Sequence, residues 1–224
     1  MAALQTKRGC EHPCVYCTYP LLEGHAIRER EPSVVVDDIE MLVSRHNAKY
    51  IFFTDSVFND SRGRYRTLVQ EMKRRSLSVP WTAFFKPSAE MDGAIIEVMR
   101  ETGLHAAELG SDAPTDATLR GIGKDFLFRD VERCNSMFLD QGVATAHYFM
   151  FGCPGETRET VEEGIANILS LQKAAIFVFM GIRILPGTGL VKIAVRDGLL
   201  REGQSLLEPT YYISPKVERQ WMEN

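Results

Sequence analysis

The chain has 224 residues, of which 45% are hydrophobic and 25% are charged, as is typical of a globular domain with a substantial core. Its formal net charge of -4 argues against nucleic acid as the main partner, because phosphate binding normally requires a basic excess. No apolar run approaches the roughly 20 residues of a membrane span, and the N-terminus lacks a signal-peptide pattern. Three of the five cysteines lie in one loop, which favours a metal site in a reducing compartment over a disulfide framework. We therefore expect a cytoplasmic protein.

Strand and helix patterns alternate about six times along the chain. Runs rich in apolar residues predict strands at residues 4–7, 50–54, 81–85, 105–109, 143–151 and 176–185. Apolar residues at helical spacing predict helices at residues 32–45, 65–72, 94–99, 131–139, 161–171 and 190–195. The alternation predicts right-handed βαβ units and a parallel sheet. Six units are fewer than the eight of a closed barrel, so the periodicity leaves an open doubly wound sheet and a partial barrel as alternatives.

Both architectures place ligands at the carboxyl ends of the strands. Residues that carry chemistry follow five predicted strands at that end: Cys10 after the first, Asp55 after the second, residues 108–112 at the end of the fourth, residues 152–155 after the fifth and residues 186–187 after the sixth. We therefore expect one site at this edge of the sheet. Residues 1–207 are predicted to form the core domain, and residues 208–224 a C-terminal covering segment.

The clearest motif is C-x3-C-x2-C, formed by Cys10, Cys14 and Cys17. Three thiolates in so short a loop can face a single inorganic centre. No second C-x2-C pair supplies a fourth ligand, so one coordination position is open, as in catalytic rather than structural sites. A structural zinc site of the Cys3His type with His12 is the alternative, although a histidine inside the loop has an unfavourable spacing for tetrahedral zinc.

The motifs CEHPCVYC, FFTDS, ELGSD, FGCPGET and RILPGTGL follow one another in this order. In that order they resemble the radical S-adenosylmethionine (radical SAM) superfamily. The resemblance is to the branch that usually carries an N-terminal cobalamin-binding domain, and within it to lipid-biosynthesis-type proteins. It covers nearly the whole chain. It implies a partial (β/α)6 TIM-like barrel with the cluster loop after the first strand.

The resemblance also implies the cofactors. Cys10, Cys14 and Cys17 would ligate three irons of a [4Fe-4S] cluster, and S-adenosylmethionine would bind the fourth iron. An electron donor such as flavodoxin or ferredoxin would then start radical chemistry on a small-molecule or lipid-like substrate. We expect no N-terminal cobalamin domain in this chain, which leaves cobalamin open as the cofactor of a separate cobalamin-binding domain.

Several further cofactor contacts are implied by the same resemblance. Tyr16 would pack by the adenine or the cluster, and Thr54, Asp55 and Ser56 would hold the methionyl amine, for which an acidic side chain is a suitable acceptor. The alternative for Asp55 is to cap the loop that follows. Lys124 would neutralise the methionyl carboxylate, or else is a solvated surface residue.

The remaining contacts are implied at the ends of the fourth and fifth predicted strands. Glu108, Ser111 and Asp112 would contact the ribose, with Ser111 taking over if the side chain of Asp112 is too short. Gly152 and Gly155 would let the backbone approach the adenine, because glycine removes the side chain that would block it.

No catalytic residue is assigned from the sequence. Arg183 is expected to reach the cofactor carboxylate or the substrate if it points inward. His147 is predicted to be a hydrogen-bonded core histidine, and Cys153 and Cys134 small packed residues. Two other functions stay open: a methylthiotransferase-like radical SAM enzyme acting on RNA, and a non-catalytic metal-binding domain with structural zinc.

Overall fold

The structure is a computed structural model that describes residues 1–88, 90–218 and 221. Its elements, in chain order, are β1 (Ala2–Leu4), β2 (Lys7–Arg8), α1 (Tyr19–Glu23), β3 (Arg28–Glu29), α2 (Pro32–His46), β4 (Ile51–Phe53), α3 (Arg64–Arg74), β5 (Trp81–Phe85), α4 (Gly93–Glu101), β6 (Leu104–Asp112), α5 (Asp116–Gly121), α6 (Phe128–Asp140), β7 (Ala144–Phe151), α7 (Arg158–Ser170), β8 (Ala174–Met180), β9 (Ile182–Arg183), α8 (Gly189–Arg196) and β10 (Tyr211–Tyr212).

Six of the strands form one parallel sheet in the order β1-β4-β5-β6-β7-β8. The strands follow one another in chain order, whereas a doubly wound sheet reverses its order at a switch point. This order selects the partial (β/α)6 barrel from the two predicted alternatives. Two small antiparallel pairs, β2 with β3 and β9 with β10, lie beside the main sheet.

The outer face of the sheet carries the main core. On β5, Trp81, Ala83 and Phe85 alternate into one cluster with apolar residues of α2, α3, α4 and α6. The Trp81 side chain is fully buried, and its ring lies 5.3 Å from that of Phe53. Each fully buried large side chain of this kind contributes roughly 1.5–3 kcal/mol. The outer face therefore holds the sheet together, and the inner face is left for other roles.

Two predicted strands differ in their bounds from the structure, and two short helices were missed. The first strand lies at residues 2–4, because residues 7–8 leave the sheet and pair with β3. The sixth predicted strand is divided at Gly181, whose φ of 79° turns the chain so that β9 pairs with β10. The short helices α1 and α5 were not predicted. α5 begins with a capping box of Thr115 and Thr118, of which only the N-cap threonine is a sequence signal for a helix start.

The chain after α8 returns to the turn that follows β7. Tyr212 is buried and its hydroxyl donates to Asp197 at 2.6 Å. Ser214 donates its backbone N–H to Gly152 O at 3.0 Å and its hydroxyl to Glu156 O at 2.7 Å. The predicted domain boundary at residue 207 stays a prediction. Residues 219, 220 and 222–224 of the predicted covering segment lie outside the described residues.

Within the described part of the chain, no helix has the length and apolar character needed to cross a membrane.

Candidate functional site

The beginning of the cysteine loop is anchored on three neighbouring segments. Gly9 has a φ of +100°, and a Cβ there would lie 2.3 Å from Ala26 O, so only glycine fits. Gly9 N–H donates to Glu23 Oε2 at 3.1 Å, and Gly9 O accepts from the Ser56 hydroxyl at 3.1 Å. Cys10 N–H donates to Gly24 O at 3.1 Å. The first cysteine is therefore fixed relative to α1 and to the end of β4.

The other end of the loop lies between α5 and α8. Val15 N–H donates to Ile122 O at 3.1 Å, and Val15 O accepts from Leu190 N–H at 2.7 Å. Gly123 has a φ of +80°, and a Cβ there would approach Pro13 O to 2.9 Å. These contacts hold the segment with Cys14 and Cys17 against the rest of the barrel.

All three cysteines line one cavity of about 300 Å³ at the carboxyl ends of the strands. None of them forms a disulfide. Burial raises the pKa of the Cys14 and Cys17 thiols, and a metal centre that binds a thiol lowers its pKa. The other residues that line the cavity are His12, Tyr16, Tyr19, Ser56, Val57, Phe84, Phe85, Lys86, Gly110, Asp112, Gly123, Lys124, Asp125 and Tyr148.

The donor set fits an iron–sulfur cluster better than a single ion. Among the described residues, no three His, Cys, Asp or Glu side chains are close enough to hold one metal ion. Tetrahedral zinc needs such convergence, because each sulfur lies about 2.3 Å from the metal. A four-iron cluster is a larger body, and each thiolate binds a different iron. His12 faces Asp125, with Nδ1 4.0 Å from Oδ2, so the structure offers no support for the Cys3His alternative.

A buried cation lies beside the cysteines. The Lys124 ammonium forms an ion pair with the Asp112 carboxylate and lies 5.6 Å from the centre of the Tyr16 ring. Burial alone would lower the pKa of Lys124, but Asp112 and the Tyr16 phenol hold this pKa well above its ordinary value. Asp112 has a φ of 60°, and such left-handed backbone at a non-glycine residue costs about 1 kcal/mol or more. The pair therefore presents a fixed positive charge with its counterion at the cavity.

Seven of the predicted site residues line this cavity, and the others do not. The seven are Cys10, Cys14, Tyr16, Cys17, Ser56, Asp112 and Lys124. Those outside the lining are Thr54, Asp55, Glu108, Ser111, Gly152, Gly155 and Arg183. The difference has a specific cause at each position.

Asp55 supports the start of the cysteine loop. Its fully buried carboxylate accepts from the backbone N–H of Thr6 at 2.7 Å and of Lys7 at 3.2 Å, and its burial raises the pKa of the carboxyl group. Thr54 places its hydroxyl 3.4 Å from Leu4 O. Of the stretch 54–56, only Ser56 reaches the cavity, which corrects the expectation that Asp55 faces the methionyl amine.

Ser111 lies on the opposite face of β6 from Asp112. Its hydroxyl donates to His147 Nδ1 at 2.8 Å, while His147 Nε2–H donates to Asn135 Oδ1 at 3.1 Å. Both residues are buried under α6. The proposed shift of the ribose contact to Ser111 is therefore wrong, because successive strand residues point to opposite faces. His147 is, as the pattern indicated, a hydrogen-bonded core histidine, and burial lowers its pKa to about 4.

The turn after β7 is organised by a residue that the sequence reasoning missed. The backbone N–H groups of Gly152 and Cys153 donate to one oxygen of the buried Glu156 carboxylate, and its other oxygen has no partner among the described residues. Gly155 is exposed, and Arg183 is an exposed residue of β9. Glu156 directly follows FGCPG in the sequence, and this position within the motif was the signal that could have indicated its role in the turn.

Glu108 faces the barrel interior, two residues before the cavity residue Gly110. Its carboxylate accepts from the Tyr148 hydroxyl, and burial followed by this hydrogen bond raises the pKa of Tyr148 to about 12. Tyr148 and Phe84 line the cavity but were not predicted as site residues. Their alternation with buried outward residues on β5 and β7 was the signal that could have found them.

The chain resembles known proteins over most of its length. A family model described as Radical SAM superfamily matches residues 4–166, which is more than half of the chain. A tryptophan 2-C-methyltransferase of Streptomyces laurentii is 28% identical over 207 residues, which cover 86% of this chain and 34% of that protein. An anaerobic magnesium-protoporphyrin IX monomethyl ester cyclase of Rubrivivax gelatinosus is 28% identical over 158 residues, which cover 70% of this chain and 28% of that protein.

A solved structure gives the same result. The radical S-adenosylmethionine methyltransferase TsrM of Kitasatospora setae, with cobalamin and a [4Fe-4S] cluster bound, matches with a TM-score of 0.81 and 27% identity, covering 88% of this chain and 37% of that one. The chain thus spans about a third of the length of these relatives. The partial-barrel fold is confirmed. The family model, the relatives and the arrangement of the cysteines agree that the chain belongs to the radical SAM superfamily.

Proposed function

We propose that the chain is the core domain of a radical SAM enzyme that holds a [4Fe-4S] cluster through Cys10, Cys14 and Cys17. The observation that carries the proposal is the position of these cysteines, all free and all lining one cavity at the carboxyl ends of the parallel strands. The cavity also holds the fixed Lys124–Asp112 pair. When bound, the reduced cluster supplies the electron that cleaves S-adenosylmethionine and starts radical chemistry.

The chain's own residues would bind and orient S-adenosylmethionine. Lys124 would face the methionyl carboxylate, and Asp112 would keep the lysine charged and positioned. Tyr16 offers a ring at the same wall, and Ser56 offers a hydroxyl beside the cysteine loop. Gly152 and Gly155 lie outside the cavity lining, so a backbone contact to the adenine at this turn stays a prediction.

We propose methyl transfer as the reaction, because two of the relatives carry this activity in their names. One of them holds cobalamin in its structure, which supports the prediction of a cobalamin-binding domain as partner. A lipid-like substrate and a flavodoxin or ferredoxin as electron donor stay predictions. The net charge of -4 disfavours the alternative of an RNA substrate.

The cluster ligands are tested by comparing two cysteines. After anaerobic reconstitution with iron and sulfide, the wild-type chain is expected to bind a cluster and, with dithionite, to release 5'-deoxyadenosine from S-adenosylmethionine. Cys14→Ala should abolish both, because a ligand is lost. Cys153→Ala is the matched control, since Cys153 is buried away from the cavity. Stoichiometric zinc with no cleavage in the wild-type chain would overturn the proposal.

A further inference from the structure

Aromatic rings and one carboxylate share the inner face of the sheet. Tyr148 on β7 stacks on its cross-strand partner Phe177 on β8, with ring centres 5.0 Å apart and planes at 11°. The Tyr148 hydroxyl donates to Glu108 on β6. Tyr148 also lines the cavity of the cysteines. The stack is therefore continuous with the proposed radical site.

The aromatic character extends along the same face. Phe52 on β4 and Phe84 on β5 form an edge-to-face pair with ring centres 5.4 Å apart, and Phe84 lines the cavity. At the other side of the sheet, Phe177 is 46% exposed and Phe179 is 51% exposed. Rings of this kind favour offset-stacked or edge-to-face contact with a further ring.

Glu108 contributes a carboxylate beside these rings. Within the described residues its carboxylate forms no ion pair with Lys, Arg or His, and its hydrogen bond comes from Tyr148 alone. A half-buried carboxylate in apolar surroundings is costly unless a cation or an N–H donor faces it. The high pKa of Tyr148 keeps its hydroxyl protonated as a donor, and the carboxylate keeps further acceptor sites for a ligand.

We infer that the inner face binds a planar aromatic or heteroaromatic substrate that carries a cationic nitrogen. The ring would pack on the aromatic side chains around Tyr148 and Phe177, and the nitrogen would meet Glu108. This inference deepens the proposed function and rests on it, because it names the substrate class of the inner face, which meets the cysteine cavity at Tyr148. Continuity with the cysteines through Tyr148 puts such a ring beside the site where the radical would form.

The same chemistry disfavours a saturated lipid as the substrate. A hydrocarbon chain would exclude water from the Glu108 carboxylate and offer it no donor in return, which is unfavourable. A ligand with an ammonium group removes this cost and adds a charge-assisted hydrogen bond. The Glu108 carboxylate thus favours a cationic aromatic ligand over a saturated lipid, whereas the aromatic side chains alone would accept either ligand.

The inference is tested by calorimetric titration of the full chain at neutral pH with three probes. Tryptamine has a ring and a cation, indole-3-propionate has the same ring and an anion, and decylamine has a cation on a saturated chain. Tryptamine should bind at least about tenfold more tightly than either of the others. Glu108→Gln should weaken tryptamine by about tenfold, the size expected for a hydrogen bond to a charged group. Phe177→Leu should weaken it by about threefold.

Glu97→Gln is the control, since Glu97 is an exposed residue of α4. Equal binding of the two indoles, or unchanged binding in Glu108→Gln, would overturn the role of the carboxylate. Decylamine binding as tightly as tryptamine would overturn the aromatic half. Because these titrations need neither cluster nor turnover, their failure is distinguishable from a failure of cluster binding or of S-adenosylmethionine cleavage. A circular dichroism spectrum like that of wild type shows that each variant is folded.

Discussion

The two faces of the sheet differ in how they treat polar groups. On the outer face, Ser111, His147 and Asn135 are buried and satisfy one another's hydrogen bonds. On the inner face, Glu108 and Tyr148 are half-buried, and Tyr148 lines the cavity. Each group has one member on β7, and these two residues, His147 and Tyr148, are adjacent in sequence. The alternation of a strand thus separates structural from ligand-binding chemistry within a single peptide bond.

The largest expected effect is on the inner side, at Lys124. Lys124→Met removes the cation and leaves Asp112 without a counterion beside the cysteines. We expect the affinity for S-adenosylmethionine to fall by about a hundredfold, since a buried charge partner is lost. Equilibrium dialysis with the anaerobically reconstituted chain measures the change.

The matched control for Lys124 is Lys73, which also forms an ion pair with a carboxylate but lies at the surface. Lys73 forms an ion pair with Glu101 at 2.6 Å, with both side chains exposed, and such pairs contribute about 0–1 kcal/mol. Lys73→Met should bind S-adenosylmethionine as the wild type does. If Lys124→Met also binds like the wild type, the Lys124–Asp112 pair has no part in cofactor binding.

A smaller effect, on stability, is expected on the outer face. His147→Leu removes the acceptor of the Ser111 hydroxyl and one donor to Asn135. The free energy of unfolding should fall by roughly 2 kcal/mol, because buried polar groups lose their partners. Urea unfolding measures this loss, and the cluster content should not change.

Tyr148→Phe tests the neighbouring position on the other face. Tyr148 is half exposed, so the free energy of unfolding should change by less than about 1 kcal/mol. Equal destabilisation by both variants would mean that the two faces do not divide their roles in this way.

The sequence predicted the order of the elements better than the direction of individual side chains. The strand at 81–85 was predicted with its observed bounds, because Trp81 to Phe85 is a compact β-rich run. Ser111 and Asp112 were both predicted as ribose contacts, because the sequence does not say which face of a strand meets the cofactor. In the structure Ser111 is buried against His147, and Asp112 lines the cavity.

Long-range contacts account for the other differences. Asp55 was given to the cofactor, but its partners Thr6 and Lys7 lie 49 and 48 residues away. Arg183 leaves the sheet because β9 pairs with residues 211–212. The three cysteines line one cavity, since their short loop keeps them together whatever the rest of the chain does; their role as cluster ligands stays a prediction.

A further expected effect concerns the pH dependence of stability, where two buried groups oppose each other. Burial raises the pKa of Glu156 from 4.5 to about 7. Its stabilising contribution is therefore complete below pH 4.5 and is lost as the pH rises through 7. Burial lowers the pKa of His147 from 6.5 to about 4. Its contribution is complete above pH 6.5 and is lost as the pH falls through 4.

Between pH 4.5 and 6.5 the contributions of the two groups to the pH dependence nearly cancel in the wild-type chain. Folding favours the protonated form of Glu156 and the deprotonated form of His147. Glu156→Gln removes the first group, so the free energy of unfolding should then rise with pH between 4.5 and 6.5, by at most about 1.4 kcal/mol per pH unit. His147→Leu should give the opposite slope, and the double variant should be flat again. Urea unfolding at several pH values measures all four chains. If the stability of either single variant does not depend on pH, the group that remains in it does not titrate in this range. That group, the His147 imidazole in Glu156→Gln or the Glu156 carboxyl group in His147→Leu, is then less buried than in the structure.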